Sequence, residues 1–251
     1  MDVTAAMVLL VAGLAGGTIN GIVGSGTLIV YPALLAIGLP PVVANGTNTT
    51  GLCFGSASSA WGYRRELAGR MRRLAPAVAA TVVAATVGAS LVIALPERVF
   101  VAVVPWLILF AALLVAIQPR VIRWLKSRRD SHEASPGRLA AITSVVGIYG
   151  GYFGASQGVI YMSILGVFYD HDLQKSNGAK NLLAATANIT AAVVFIAAGR
   201  VNWPAAIMVA LGAIVGGLVG ARVGRMLPTS AFRLIIVVVG IVGAVYVLVS
   251  Q

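Results

Sequence analysis

Two groups of residues have the types and spacing to hold a charged ligand. Ser25, Gly26 and Thr27 interrupt one long apolar run, and Ser156 and Gln157 interrupt another. After each comes a polar cluster in apolar surroundings: Asn48 within ANGTNTT at 44–50, and Lys180 with Asn181 within SNGAKN at 176–181. Polar residues at membrane depth are costly and tend to be functional. The set comprises hydroxyls, amides, glycine backbone and one ammonium, and it contains no carboxylate. No Asp or Glu lies well inside an apolar segment. Glu66, Glu97, Asp170 and Asp172 fall in loops or at helix ends, and His132 and His171 fall in the linker and a loop. That pattern offers no carboxylate proton relay, no metal-ligand cluster and no Ser-His-Asp set. The expected ligand is an anion, with no cofactor, no metal and no enzymatic activity.

The elements that must position these residues are broken helices. The apolar stretch over 5–38 would span ~51 Å as one helix at ~1.5 Å per residue, against a hydrocarbon core of ~30 Å. It must break, and Gly24-Ser25-Gly26-Thr27 is the place. A second copy at 147–167 breaks at Gly154-Ala155-Ser156-Gln157. A half-helix that starts inside the membrane presents unsatisfied N–H groups and a partial positive charge, which attract anions. Ser25, Thr27, Ser156 and Gln157 sit at these ends, where their side chains cap the helix, bind a ligand, or do both.

Composition places the chain in a membrane. It is 59% hydrophobic and 10% charged, with mean hydropathy +0.95, where a soluble domain carries about 25% charged residues. The net charge of +11 reads as basic cytoplasmic loops and not as nucleic-acid binding. Cys53 is the one cysteine, so no intramolecular disulfide forms. Residues 1–4 carry no basic region, so the first apolar segment is expected to stay uncleaved.

The chain reads as all-α and polytopic, in two similar halves. Residues 1–118 hold a hairpin (5–38) and helices at 43–62, 74–95 and 98–118. A basic cytoplasmic linker covers 119–138. Residues 139–251 hold a hairpin (139–169) and helices at 178–198, 203–221 and 231–250. A shift of 130 carries Gly17, Gly21, Gly24 and Thr27 onto Gly147, Gly151, Gly154 and Gln157, and a shift of 132 carries Leu95-Pro96 onto Leu227-Pro228. If each broken segment turns back, each half has three crossings and the repeats are inverted. The cytoplasmic side then receives 16 of the 18 Lys and Arg, leaving Arg98 and Arg200 outside; a single crossing at each break gives 12 and 6. The positive-inside rule prefers the hairpins, and inverted repeats with discontinuous helices are a common transporter plan. Both termini are then outside, in a multi-pass protein of the inner (plasma) membrane.

Each feature also has a plainer reading. Gly13, Gly17 and Gly21, like Gly212, Gly216, Gly220 and Gly224, recur at the spacing of close helix packing. Lys180 lies near a boundary, so it is either a snorkelling anchor or a cation at the anion site beside Asn48 and Asn181. The glycosylation-like triplets at Asn45, Asn48 and Asn188 lie within helices and read as accidental.

The residues AGGTINGIVGSGTLIVYP with ANGTN, and GIYGGYFGASQG with NGAKN, resemble the two repeats of the sulfite exporter TauE/SafE family of membrane permeases. The resemblance covers nearly the whole chain. It implies transport of a small oxyanion such as sulfite, sulfate, an organosulfonate or a related carboxylate. Where that family often has three glycines, this chain has Gly24-Ser25-Gly26-Thr27; Ser156 and Gln157 also stand where glycine is common. Transport by alternating access is the leading expectation, with a small anion and the lipid bilayer as partners and room for a homodimer. An intramembrane enzyme acting on a lipid phosphate is the second reading, weakened by the missing buried acids and bases.

Overall fold

A computed structural model describes residues 1–127, 134–170, 172–224 and 238, with ten helices among them and no strand. In order these are α1 (Val3–Ile22), α2 (Thr27–Ala36), α3 (Pro41–Gly62), α4 (Arg64–Leu67), α5 (Met71–Ala94), α6 (Glu97–Ser127), α7 (Pro136–Tyr152), α8 (Gln157–Phe168), α9 (Leu173–Ala197) and α10 (Trp203–Val223). Among the described residues, five segments are long and apolar enough to cross a membrane: Val3–Ile22, Met71–Ala94, Glu97–Arg120, Leu173–Ala197 and Trp203–Val223. Large apolar side chains such as Val83, Leu113 and Val193 are exposed on them, as lipid-facing surfaces require. The protein is all-α and multi-pass.

Helix α6 does not stop where the basic stretch begins but runs through Pro119 to Ser127. Helix α9 starts at Leu173, ahead of the expected 178, because Asp172 caps it: its carboxylate accepts from the Gln174 and Lys175 N–H groups. The helix expected at 231–250 lies outside the described residues. Other helices start on caps legible in the sequence. Asp2 accepts from Ala5 N–H, Ser135 from Arg138 N–H and Asn202 from Ala205 N–H, and Pro41 and Pro136 stand at first-turn positions.

Helix α2 folds back along α1. Met1, Asp2, Thr4, Ala5 and Val8 share one surface cavity with Ala36, Ile37, Leu39 and Asn202. Helix α8 returns along α7 in the same way, and the Ala134 N–H donates to the Phe168 carbonyl at 2.9 Å. With 10 and 12 residues, α2 and α8 extend ~15 and ~18 Å at ~1.5 Å per residue, about half of a ~30 Å core.

The start of α1, the end of α2 and the start of α10 therefore lie at one face. The opposite face carries the start of α7 and the end of α8. Arg70 pairs there with Asp170, Arg73 donates to the Ala134 carbonyl at 3.5 Å, and Asn177 donates to the Tyr63 hydroxyl at 2.7 Å.

Packing follows the glycines. Helix α1 packs on α3 and α10, while α7 packs on α9 and α5. A Cβ on Gly13 or Gly17 would sit 2.9 Å or 2.7 Å from the Cα of Val209 or Ala213. A Cβ on Gly216 would overlap the Leu14 carbonyl, and one on Gly151 the Ala85 carbonyl. These contacts bring backbone against backbone, which only small residues permit.

Candidate functional site

The two breaks close their first helices alike. Val23 and Gly24 N–H both donate to the Ile19 carbonyl, at 2.7 and 3.1 Å; Phe153 and Gly154 N–H both donate to the Tyr149 carbonyl, at 3.0 and 2.9 Å. Gly24 and Gly154 take φ of +86° and +71°, the left-handed turn that ends many helices and favours glycine. The breaks touch. Gly158 N–H donates to the Gly24 carbonyl at 3.2 Å, and a Cβ on Gly158 would sit 2.5 Å from the Gly24 Cα.

The helix ends on the carbonyl side are capped by the other half of the chain. Lys180 Nζ donates to the Gly21 and Ile22 carbonyls, both at 3.2 Å, and Asn181 Nδ2 joins it on Gly21 at 3.2 Å. Asn45 Nδ2 donates to the Tyr152 carbonyl at 3.0 Å. Orphan carbonyls and a partial negative charge collect at a helix C-terminus, so an ammonium and two amides are the complement that end requires. Lys180 is 1% exposed, which rules out snorkelling. It still lines a small cavity of about 110 Å³ with Ile22, Val23, Gln118, Asn177 and Gly224. An ammonium has three donors, and two are accounted for.

The N-terminal ends differ from each other. At α8, Ser156 takes φ of +59° and its hydroxyl donates to the Ala111 carbonyl at 3.0 Å. Gln157 Nε2 donates to Asn188 Oδ1 at 3.0 Å, and Asn188 and Asn20 both donate to the Ser56 hydroxyl at 2.8 Å. At α2, the N–H groups of Ser25, Gly26 and Thr27 donate to no acceptor among the described residues. Ser25 is fully buried and its hydroxyl has no partner. Asn48 Nδ2 donates to Thr27 Oγ1 at 3.2 Å, while Asn48 Oδ1 and Gln157 Oε1 are buried and unpartnered.

Ser25, Gly26, Thr27 and Asn48 thus meet at the start of α2, Ser156 and Gln157 at the start of α8, and Lys180 and Asn181 at the end of α1. Asn20, Ser56 and Asn188 join Gln157 in one buried network, and Asn45 caps the end of α7; none of the four is among the expected site residues, Asn45 and Asn188 being read only as accidental glycosylation-like triplets. Asn20 and Asn188 carry the signal that would have found them, an amide inside an apolar run. Among the described residues no His, Cys, Asp or Glu grouping could hold a metal ion.

Several known proteins are similar to this chain over most of its length. "Probable membrane transporter protein ORF9" of Sinorhizobium sp is 28% identical over 242 residues, covering 96% of this chain and 91% of its own. "Probable membrane transporter protein YfcA" of Escherichia coli K12 is 30% identical over 239 residues, covering 95% and 86%. A "Probable membrane transporter protein" of Haemophilus influenzae is 26% identical over 215 residues, covering 86% and 83%. No solved structure matches. The family model described as "Sulfite exporter TauE/SafE" matches residues 9–247, and this chain belongs to that family.

Proposed function

We propose that this membrane transporter carries a small oxyanion such as sulfite, sulfate or an organosulfonate. The ligand oxygens bind at the start of α2, on the Ser25, Gly26 and Thr27 N–H groups and the Ser25 hydroxyl, with Asn48 beside them. The observation that carries this reading is the run of three consecutive unpartnered N–H groups next to a fully buried, unpartnered hydroxyl. Buried polar groups are ordinarily satisfied, and successive N–H groups at a helix start suit an anion. Ser156 and Gln157 line the facing break. Lys180 and Asn181 hold the end of α1, and the remaining Lys180 donor meets the ligand from the small cavity.

The halves, 1–118 and 139–251, act as inverted repeats. What supports this is the matching break geometry, the reciprocal packing of α1 on α10 and α7 on α5, and folded-back pairs opening on opposite faces. Alternating access then consists of separating the Gly24–Gly158 contact from one side at a time. The face with Arg64, Arg65, Arg70, Arg72, Arg73 and Lys175 is cytoplasmic.

The test is flux into liposomes holding purified protein, with radiolabelled sulfite, sulfate and isethionate. Saturable uptake of at least one is expected. Ser25→Ala should weaken it by less than about tenfold, since the backbone donors remain. Folded protein that moves none of them, or that releases phosphate from a lipid phosphate, would reject the reading.

A further inference from the structure

We infer that the seam between α3 and α10 is a binding site for one anionic phospholipid, with its phosphate held at the cytoplasmic end. The two helices run parallel: Gly51 lies on Val209, Gly55 on Ala213 and Gly62 on Ala221. This register brings Phe54 level with Leu211 and Trp61 level with Leu218. All four are exposed, at 50%, 51%, 65% and 40%. Phe54 and Trp61 are seven residues apart, as are Leu211 and Leu218, so each pair lies on one face two turns apart. Ser58, between them, donates to the Ile214 carbonyl across the seam at 3.0 Å, leaving the groove apolar.

At its cytoplasmic end the groove opens into a cavity of about 730 Å³ lined by Trp61, Arg64, Arg65, Glu66, Leu218 and Arg222 among others. Three guanidiniums face one carboxylate there. Arg64 donates to the Trp61 carbonyl at 3.2 Å and lies 5.0 Å from the Trp61 ring centroid, which leaves it spare donors. Arg65 and Arg222 form no ion pair among the described residues. A guanidinium fork matches phosphate oxygens, and an interfacial tryptophan marks the headgroup level. Acyl chains along Phe54 and Leu211 with a phosphate on Arg65 and Arg222 satisfy both halves of the surface at once. A soluble anion would use only the basic end.

The test uses the full chain with Trp106, Trp124 and Trp203 changed to Phe, so that Trp61 alone reports. It is reconstituted in phosphatidylcholine vesicles containing a minor fraction of either bromine-labelled phosphatidylglycerol or bromine-labelled phosphatidylcholine. Stronger quenching by the phosphatidylglycerol is expected. With about a fivefold preference from each arginine near the surface, Arg65→Gln with Arg222→Gln should lower the preference roughly twenty-five-fold, and the Arg→Lys pair should keep much of it. Equal quenching by the two lipids, or a preference unchanged in the glutamine pair, overturns the site. Loss of the preference on adding excess inorganic phosphate would assign the pocket to free phosphate and also overturn it.

Discussion

Lys180 offers the sharpest test, because the cap it forms and the ligand contact proposed for it fail differently. Its ammonium donates to the Ile22 carbonyl from another helix and shares the Gly21 carbonyl with Asn181. Lys180→Met keeps most of the stem and removes the donors. An orphaned buried acceptor costs ~1–3 kcal/mol, and a cation at a helix C-terminus contributes ~0.3–2 kcal/mol. The sum, roughly 1–5 kcal/mol, is partly offset because methionine no longer buries a charge. Lys180→Glu has no such relief: it buries a carboxylate against two carbonyl oxygens, and an uncompensated buried charge costs ~3–5 kcal/mol. The folded fraction in detergent, followed through denaturant, should fall modestly for Met and steeply for Glu. Sulfite affinity of the folded Met variant reads the other role. Loss of a charge-assisted bond of ~1.5–3 kcal/mol raises Kd about tenfold to a hundredfold. A Glu variant as stable as wild type refutes the cap. A folded Met variant with unchanged affinity removes Lys180 from the ligand.

Gly24→Ala should be poorly folded by size-exclusion chromatography, since φ of +86° is joined by overlap with Gly158; Gly38→Ala, at φ of +87° with open space around it, should cost only ~1–2 kcal/mol. Gly216→Leu should lose folded protein outright by pressing on the Leu14 carbonyl, and a stable variant with altered anion preference would contradict that packing role. In a Cys53→Ala background, a cysteine at position 40 should react with an impermeant thiol reagent from outside and one at position 65 only from inside; the reverse pattern would invert the topology.

The apolar runs and the missing carboxylates were enough to read an all-α membrane protein, because helix length against bilayer thickness is a local constraint. The breaks were legible for the same reason: a run over 5–38 cannot cross once, and glycines supply the left-handed turn. Asn202 stands directly before the expected helix start at 203, whereas the apolar run alone placed the start of α9 at 178 and missed the Asp172 cap at Leu173. Sequence could name Lys180 but not aim it. Its partners lie at Gly21 and Ile22, and nothing local says that the end of α1 needs a cation from α9. Ser25 and Ser156 look equivalent in sequence, yet one hydroxyl is unpartnered and the other donates to Ala111 of α6. Asn20, Ser56 and Asn188 form one buried network across three helices. Local sequence decided which polar groups enter the membrane; only tertiary packing decided which of them satisfy one another and which are left unpartnered, because hydrogen bonds between distant segments depend on how helices cross.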